Sequence, residues 1–217
     1  MSDIFREIDE DLRRDRMERV WKRYGGILLA GAITIVAATG GWVAWDRWQT
    51  QRQSETTQRL VTALATEDTA ARLNDLSAFA AQAPTGPATL ARLYEAGLRA
   101  QQGDAKAAIA LYDQVAADGA TEGVWRDLAT LLSVMHQVGS GDAVALQARI
   151  TPLSADANPW RHSAREVMAL LALQAGDTAR ARTLFQQLAD DADAPAGVRG
   201  RAGDLAAQYG AEQEGKS

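Results

Sequence analysis

The sequence predicts an all-α chain: a single N-terminal transmembrane helix followed by a solenoid of helical hairpins. Three observations predict it. Residues 25–45 carry no charge, Gly-Asp pairs recur after them at near-constant spacing, and Ala, Leu, Gln, Arg and Glu dominate the composition. That composition, with few aromatic and β-branched residues, belongs to helices packed through small side chains rather than to sheets. A chain of 217 residues has room for one ordinary domain and little more.

The uncharged run reads GGILLAGAITIVAATGGWVAW, from Gly25 to Trp45. As a helix it would be ~31 Å long, against a hydrocarbon core of ~30 Å. Trp21 and Tyr24 stand at one end and Trp42, Trp45 and Trp48 at the other, where amphipathic rings favour the headgroup level. Arg13, Arg14, Arg16, Arg19, Lys22 and Arg23 precede the run, while only Arg47, Arg52 and Arg59 follow it closely. This asymmetry predicts a cytoplasmic N-terminus and a C-terminal domain outside the cytoplasm, since acidic neighbours weigh little in the rule. A cleaved signal peptide fits less well, because its apolar region spans only about 7–15 residues and ends at a small-x-small site. Ahead of the span, Phe5, Ile8, Leu12, Met17, Val20, Trp21 and Tyr24 recur at helical spacing, so residues 1–24 read as an amphipathic cytoplasmic segment. Within the span, Ala30, Ala37, Gly41 and Ala44 lie near one face suited to packing against another span.

Beyond residue 45 a period is present. Gly103-Asp104, Gly141-Asp142 and Gly176-Asp177 are separated by 38 and 35 residues, and Glu67-Asp68 lies 36 before the first. Glycine suits a helix end and aspartate an N-cap, so each pair predicts a tight helix-turn-helix. Ala108, Tyr112 and Val115 follow one Gly-Asp pair at the offsets at which Ala181, Phe185 and Leu188 follow another. Met168, Ala169 and Ala172 share a face of the last unit's first helix. Breaks between units are predicted at 83–87, 118–119, 158–159 and 193–195, where Pro, Gly, Asn and Asp cluster. The unit from Val124 to Leu153 is degenerate, its turn loosened by Gly139-Ser140-Gly141. Residues 46–210 thus form the expected repeat domain, and residues 211–217 a disordered tail.

The segments QQGDAKAAIALYDQVAA and LQAGDTARARTLFQQLA resemble the tetratricopeptide repeat, a helix-turn-helix unit whose copies stack into a curved solenoid with a concave binding face. The tryptophan expected early in the first helix is replaced by Arg165 in the last unit. The whole arrangement, with its charged N-terminal segment, aromatic exit GWVAWDRW and the following QTQRQSETTQRLVTAL, resembles the ancillary subunit family of the bacterial Sec translocon. That resemblance implies a single-pass inner-membrane protein with periplasmic repeats that links translocon subunits and emerging secreted polypeptides to periplasmic chaperones. A scaffold for another envelope assembly, such as cell division or outer-membrane biogenesis, is the alternative.

No catalytic site is expected. Without cysteine there is no disulfide, thiolate site or cysteine nucleophile. His162 and Glu166 stand four apart on a predicted helix, yet no further metal ligands converge on them in the sequence. His136 is expected at a helix end. The turn Asp190, Asp191, Asp193 lacks the alternating oxygens of a calcium loop. Gly139-Ser140-Gly141 lacks the surroundings of a phosphate loop or nucleophile elbow. Neither cofactor nor metal is therefore expected. Beyond residue 45 acids outnumber Lys and Arg by 21 to 16, which argues against a nucleic-acid partner. What remains is a protein-binding surface on the first helices of the units, with Arg92, Glu95, Arg99, Glu122, Arg126, Arg161 and Arg165 as the candidate groove residues.

Overall fold

Four aspartates punctuate the chain. Asp68, Asp104, Asp142 and Asp177 each accept a hydrogen bond from a backbone N–H two or three residues on, at 2.7, 3.1, 3.0 and 3.0 Å, and each opens a helix. The computed structural model describes the backbone of residues 3–214, and side chains of residues 22–209 apart from 24, 25, 27–29, 32 and 33. Among the described residues there are nine α-helices, one short 3₁₀ helix and no strand. The helices are α1 (Asp3–Ala65), α2 (Thr69–Gln82), α3 (Thr85–Gln101), α4 (Ala105–Ala117), α5 (Gly123–Met135), α6 (Ala143–Ile150), α7 (Arg161–Gln174), α8 (Thr178–Asp190) and α9 (Ala196–Glu214), with the 3₁₀ turn at Thr151–Ser154.

Two units divide the chain, residues 1–55 and 56–217. In the first, α1 has helical backbone throughout the expected span. Among the described residues no helix is long and apolar enough to cross a membrane. Gly25, Ile27, Leu28, Leu29, Ala32 and Ile33, which hold much of the apolar run, have side chains outside the description, as do residues 1–21 of the expected cytoplasmic segment. Ile35, Val36, Trp42, Val43, Trp45 and Trp48 are exposed. Trp45 and Trp48 meet at 5.4 Å between ring centroids, and the Arg52 guanidinium lies 3.8 Å over the Trp48 ring. A cation over an indole face is attracted by the ring quadrupole.

In the second unit the helices pair in sequence order, α2 with α3, α3 with α4, and so on to α8 with α9. The matched positions form its core: Ala108, Tyr112 and Val115 on α4, and Ala181, Phe185 and Leu188 on α8, are all buried. Small residues let the backbones approach while one ring per helix fills the space between. Leu60, Ala63 and Leu64 of α1 close the first hairpin against Leu76, Phe79 and Ala80 of α2. At the far end, Val198, Ala202 and Ala206 of α9 cover Phe185 and Leu188. Ala169 and Ala172 are buried as expected, with Met168 partly buried against the neighbouring cluster. The expected breaks at 118–119, 158–159 and 193–195 lie between helices, while that at 83–87 overlaps the start of α3 at Thr85. The expected tail, residues 211–217, falls where side chains or the chain itself lie outside the description.

The α5–α6 hairpin departs from the others. Gly103 and Gly176 close their helices with φ of 83° and 81°, the left-handed region that favours glycine. Gly141, the residue in register with them, is not left-handed; Gly139 is, at φ 86°. The reason is length, because residues 136–141 separate α5 from Asp142 where two residues suffice in the α3–α4 and α7–α8 hairpins. Gly141 is needed for space instead: a Cβ there would sit 2.9 Å from Leu146 Cδ1. Gln174 of α7 holds this loop, donating to the Gly141 carbonyl at 2.6 Å and accepting from Gly139 N–H at 2.8 Å. His136 caps α5 and stacks on Tyr112, with centroids 5.7 Å apart and planes 9° from parallel.

Candidate protein-binding site

The candidate groove residues do not stand as a row of free charges. Arg92 of α3 reaches Asp118, the residue that ends α4, at 3.9 Å. Asp118 in turn accepts from Ala120 N–H at 3.0 Å and from the Thr121 hydroxyl at 3.3 Å, and the hydroxyls of Thr121 and buried Thr89 share a hydrogen bond of 3.0 Å. The last repeat builds the same brace. Arg165 of α7 lies 3.5 Å from Asp191, which ends α8 and accepts from Asp193 N–H at 3.0 Å. Both arginines precede their aspartate by 26 residues. His162, three residues before Arg165 as Thr89 is before Arg92, brings Nδ1 to 3.4 Å from the same Asp191 oxygen without the alignment of a hydrogen bond.

Arg165 is held further by the Ser154 carbonyl, at 3.2 and 3.0 Å, and by Asp156. Arg99 donates twice to buried Glu95, at 3.0 and 2.8 Å, and lies 3.9 Å from Asp104. Arg92, Glu95, Arg99 and Arg165, expected among the groove residues, thus each have an ion-pair partner within the repeat domain. Glu122 precedes α5, is exposed, and makes no side-chain cap hydrogen bond. Arg126 and Arg161 are partly buried, and among the described residues neither side chain has a hydrogen-bond or ion-pair partner. Of the seven, the structure leaves these three charges uncommitted.

His162 and Glu166 do not converge. Glu166 accepts from Nε and Nη2 of Arg201, each at 2.8 Å, which holds that guanidinium even more firmly protonated than usual, while His162 faces Asp191. Among the described residues no group of three His, Asp or Glu is placed to hold a metal. Several cross-braces carry no signal in the periodicity. Asp113 accepts from the Ser133 hydroxyl at 2.6 Å and Arg149 at 2.7 Å; Asn158 donates to Asp127 at 2.8 Å; the Trp160 indole donates to the Val124 carbonyl at 3.0 Å. The side chains of Tyr94, Val124 and Met135, on α3 and α5, are exposed. They belong to helix faces turned away from the buried alanines, and that phase difference was the available clue.

The sequence profile of the tetratricopeptide repeat-like domain matches residues 18–196. The chain belongs to this family. A tetratricopeptide repeat-like domain generally mediates protein–protein interaction and is generally non-catalytic. The matched stretch begins at Glu18, takes in the whole apolar run and ends at the first residue of α9. Neither the curated proteins nor the solved structures compared with the chain give a match.

Proposed function

We propose that this chain is a non-enzymatic, membrane-anchored adaptor that binds polypeptides beside the Sec translocon and passes emerging secreted chains to periplasmic chaperones. Residues 25–45 anchor it in the bacterial inner membrane with the N-terminus cytoplasmic and the repeats periplasmic. The observation that carries this reading is the extent of the family match, which joins the apolar run and the hairpins in one domain. A retained span suits that union better than a leader that is cut away. Exposed Trp42, Trp45 and Trp48 at the end of the run support it, since such rings favour a headgroup layer.

Tethering is part of the mechanism. A repeat surface held at a membrane meets its partner at raised effective concentration, so individually weak contacts along the array suffice. Affinity isolation of the full chain in mild detergent tests the assignment. Recovery of translocon subunits supports it, whereas recovery of division or outer-membrane assembly proteins in their place favours the scaffold reading.

A further inference from the structure

The two well-formed braces imply a third that is incomplete. Arg92, Arg126 and Arg165 each lie nine residues before the last residue of their helix, in α3, α5 and α7. Arg92 and Arg165 meet the aspartate that ends the following helix. After Arg126 that position is Thr151, at the end of α6, where the chain continues into a 3₁₀ turn containing Pro152 rather than folding back through an Asx turn. Arg126 is consequently left with Nε shut off from solvent and no hydrogen-bond partner. Gln147 Nε2, on the same hairpin, is likewise buried and unbonded. A guanidinium is always charged and presents its donors in a fixed fork that matches a carboxylate, and in partly buried Arg126 the donors other than Nε are those left for a ligand to meet.

We propose that Arg126 is a receptor for an Asp or Glu side chain of a bound polypeptide, which takes the place filled by Asp118 and Asp191 in the neighbouring repeats. This deepens the adaptor reading and rests on it. The occupant is a carboxylate because the two equivalent arginines are each seated against one, and Arg161, a second partly buried and unpaired cation at the start of α7, adds attraction for an acidic segment.

The test uses the full chain in detergent micelles and a fluorescent peptide of alternating Glu and Ala, with a Gln-for-Glu counterpart. Wild type should bind the Glu peptide more tightly than the Gln peptide. Arg126→Gln should bind the Glu peptide about tenfold more weakly and the Gln peptide unchanged, as expected for loss of a charge-assisted pair. Arg182→Gln, at an exposed site on α8, should bind both as wild type does. Arg126→Glu, with unchanged helical circular dichroism, should prefer the corresponding Lys-Ala peptide. Equal binding of the Glu peptide by wild type and Arg126→Gln, or an equal loss in Arg182→Gln, overturns the proposal. If Arg126→Gln shows no loss for the Glu peptide while capture of an unfolded, acid-free polypeptide persists, the carboxylate site is refuted and the adaptor reading stands. If wild type captures no polypeptide at all, both are refuted.

Discussion

Arg165 Nη1 lies 3.5 Å from Asp191 Oδ2, joining α7 to the turn between α8 and α9. The same oxygen faces His162, so one carboxylate balances two nitrogenous side chains of α7. Asp191→Asn keeps the turn-forming oxygen and removes the charge. The side chains keep some exposure, so the expected loss of stability is modest, about 0.5–1 kcal/mol. Arg126→Gln, which breaks no pair, should stay within about 0.5 kcal/mol of wild type. Thermal unfolding followed by circular dichroism checks both, and a larger loss at Arg126 than at Asp191 would contradict the brace.

Phe185 is the largest fully buried side chain of the described residues, enclosed by α7, α8 and α9. Phe185→Ala should cost about 3–5 kcal/mol, the range for emptying an aromatic site that cannot collapse. Denaturant titration of the full chain in mild detergent measures it. A loss below about 1 kcal/mol would mean that α9 moves in to fill the space.

Gly103 has φ 83° and open space where a Cβ would stand, so a substitution there meets backbone strain alone. Gly103→Ala should cost about 1–2 kcal/mol from the left-handed conformation. Gly119 has open space without a left-handed φ, and Gly119→Ala should be close to neutral. Comparable melting temperatures for the two variants would refute the assignment of Gly103 as the residue that closes α3.

Burial pushes the Tyr112 phenol above its ordinary value of 10.0. In the unfolded chain the phenol ionises near 10, so above that pH the unfolded state binds fewer protons than the folded state and stability falls. The contribution is complete below pH 10 and is lost as pH rises from 10 through the raised value. Tyr112→Phe removes this component, so its denaturation midpoint should fall less between pH 9 and pH 11 than that of wild type, an interval of about one unit either side of the free phenol value. Parallel declines would show that another group governs alkaline unfolding.

Much of the fold was legible because it is written in periodic features. Asp68, Asp104, Asp142 and Asp177 announce helix starts, and the shared phase of Ala108, Tyr112 and Val115 with Ala181, Phe185 and Leu188 announces which faces are buried. Hydrophobic burial repeats at helical spacing and therefore leaves a local pattern. Charge pairing leaves none. Arg92 and Arg99 are seven residues apart on one helix, yet one reaches forward to Asp118 and the other back to Glu95, and sequence spacing on α3 cannot tell these fates apart. The equal 26-residue separations of Arg92 from Asp118 and Arg165 from Asp191 were a usable signal once the repeat frame was known. Gly141 shows the limit of that frame, because an insertion before Asp142 moved the left-handed position to Gly139 while the sequence register stayed intact.

The most direct test of the account is site-specific photocrosslinking in the native membrane, with probes at Ala37 in the apolar run and at Arg161 at the start of α7. Ala37 is exposed in its unit and Arg161 has no side-chain partner among the described residues, so neither probe breaks a pair described there. The account predicts adducts from Ala37 to lipid or a translocon subunit, and from Arg161 to secreted polypeptides or periplasmic chaperones. Adducts from Ala37 to soluble proteins alone, with none from Arg161 to a secreted chain or chaperone, would contradict it.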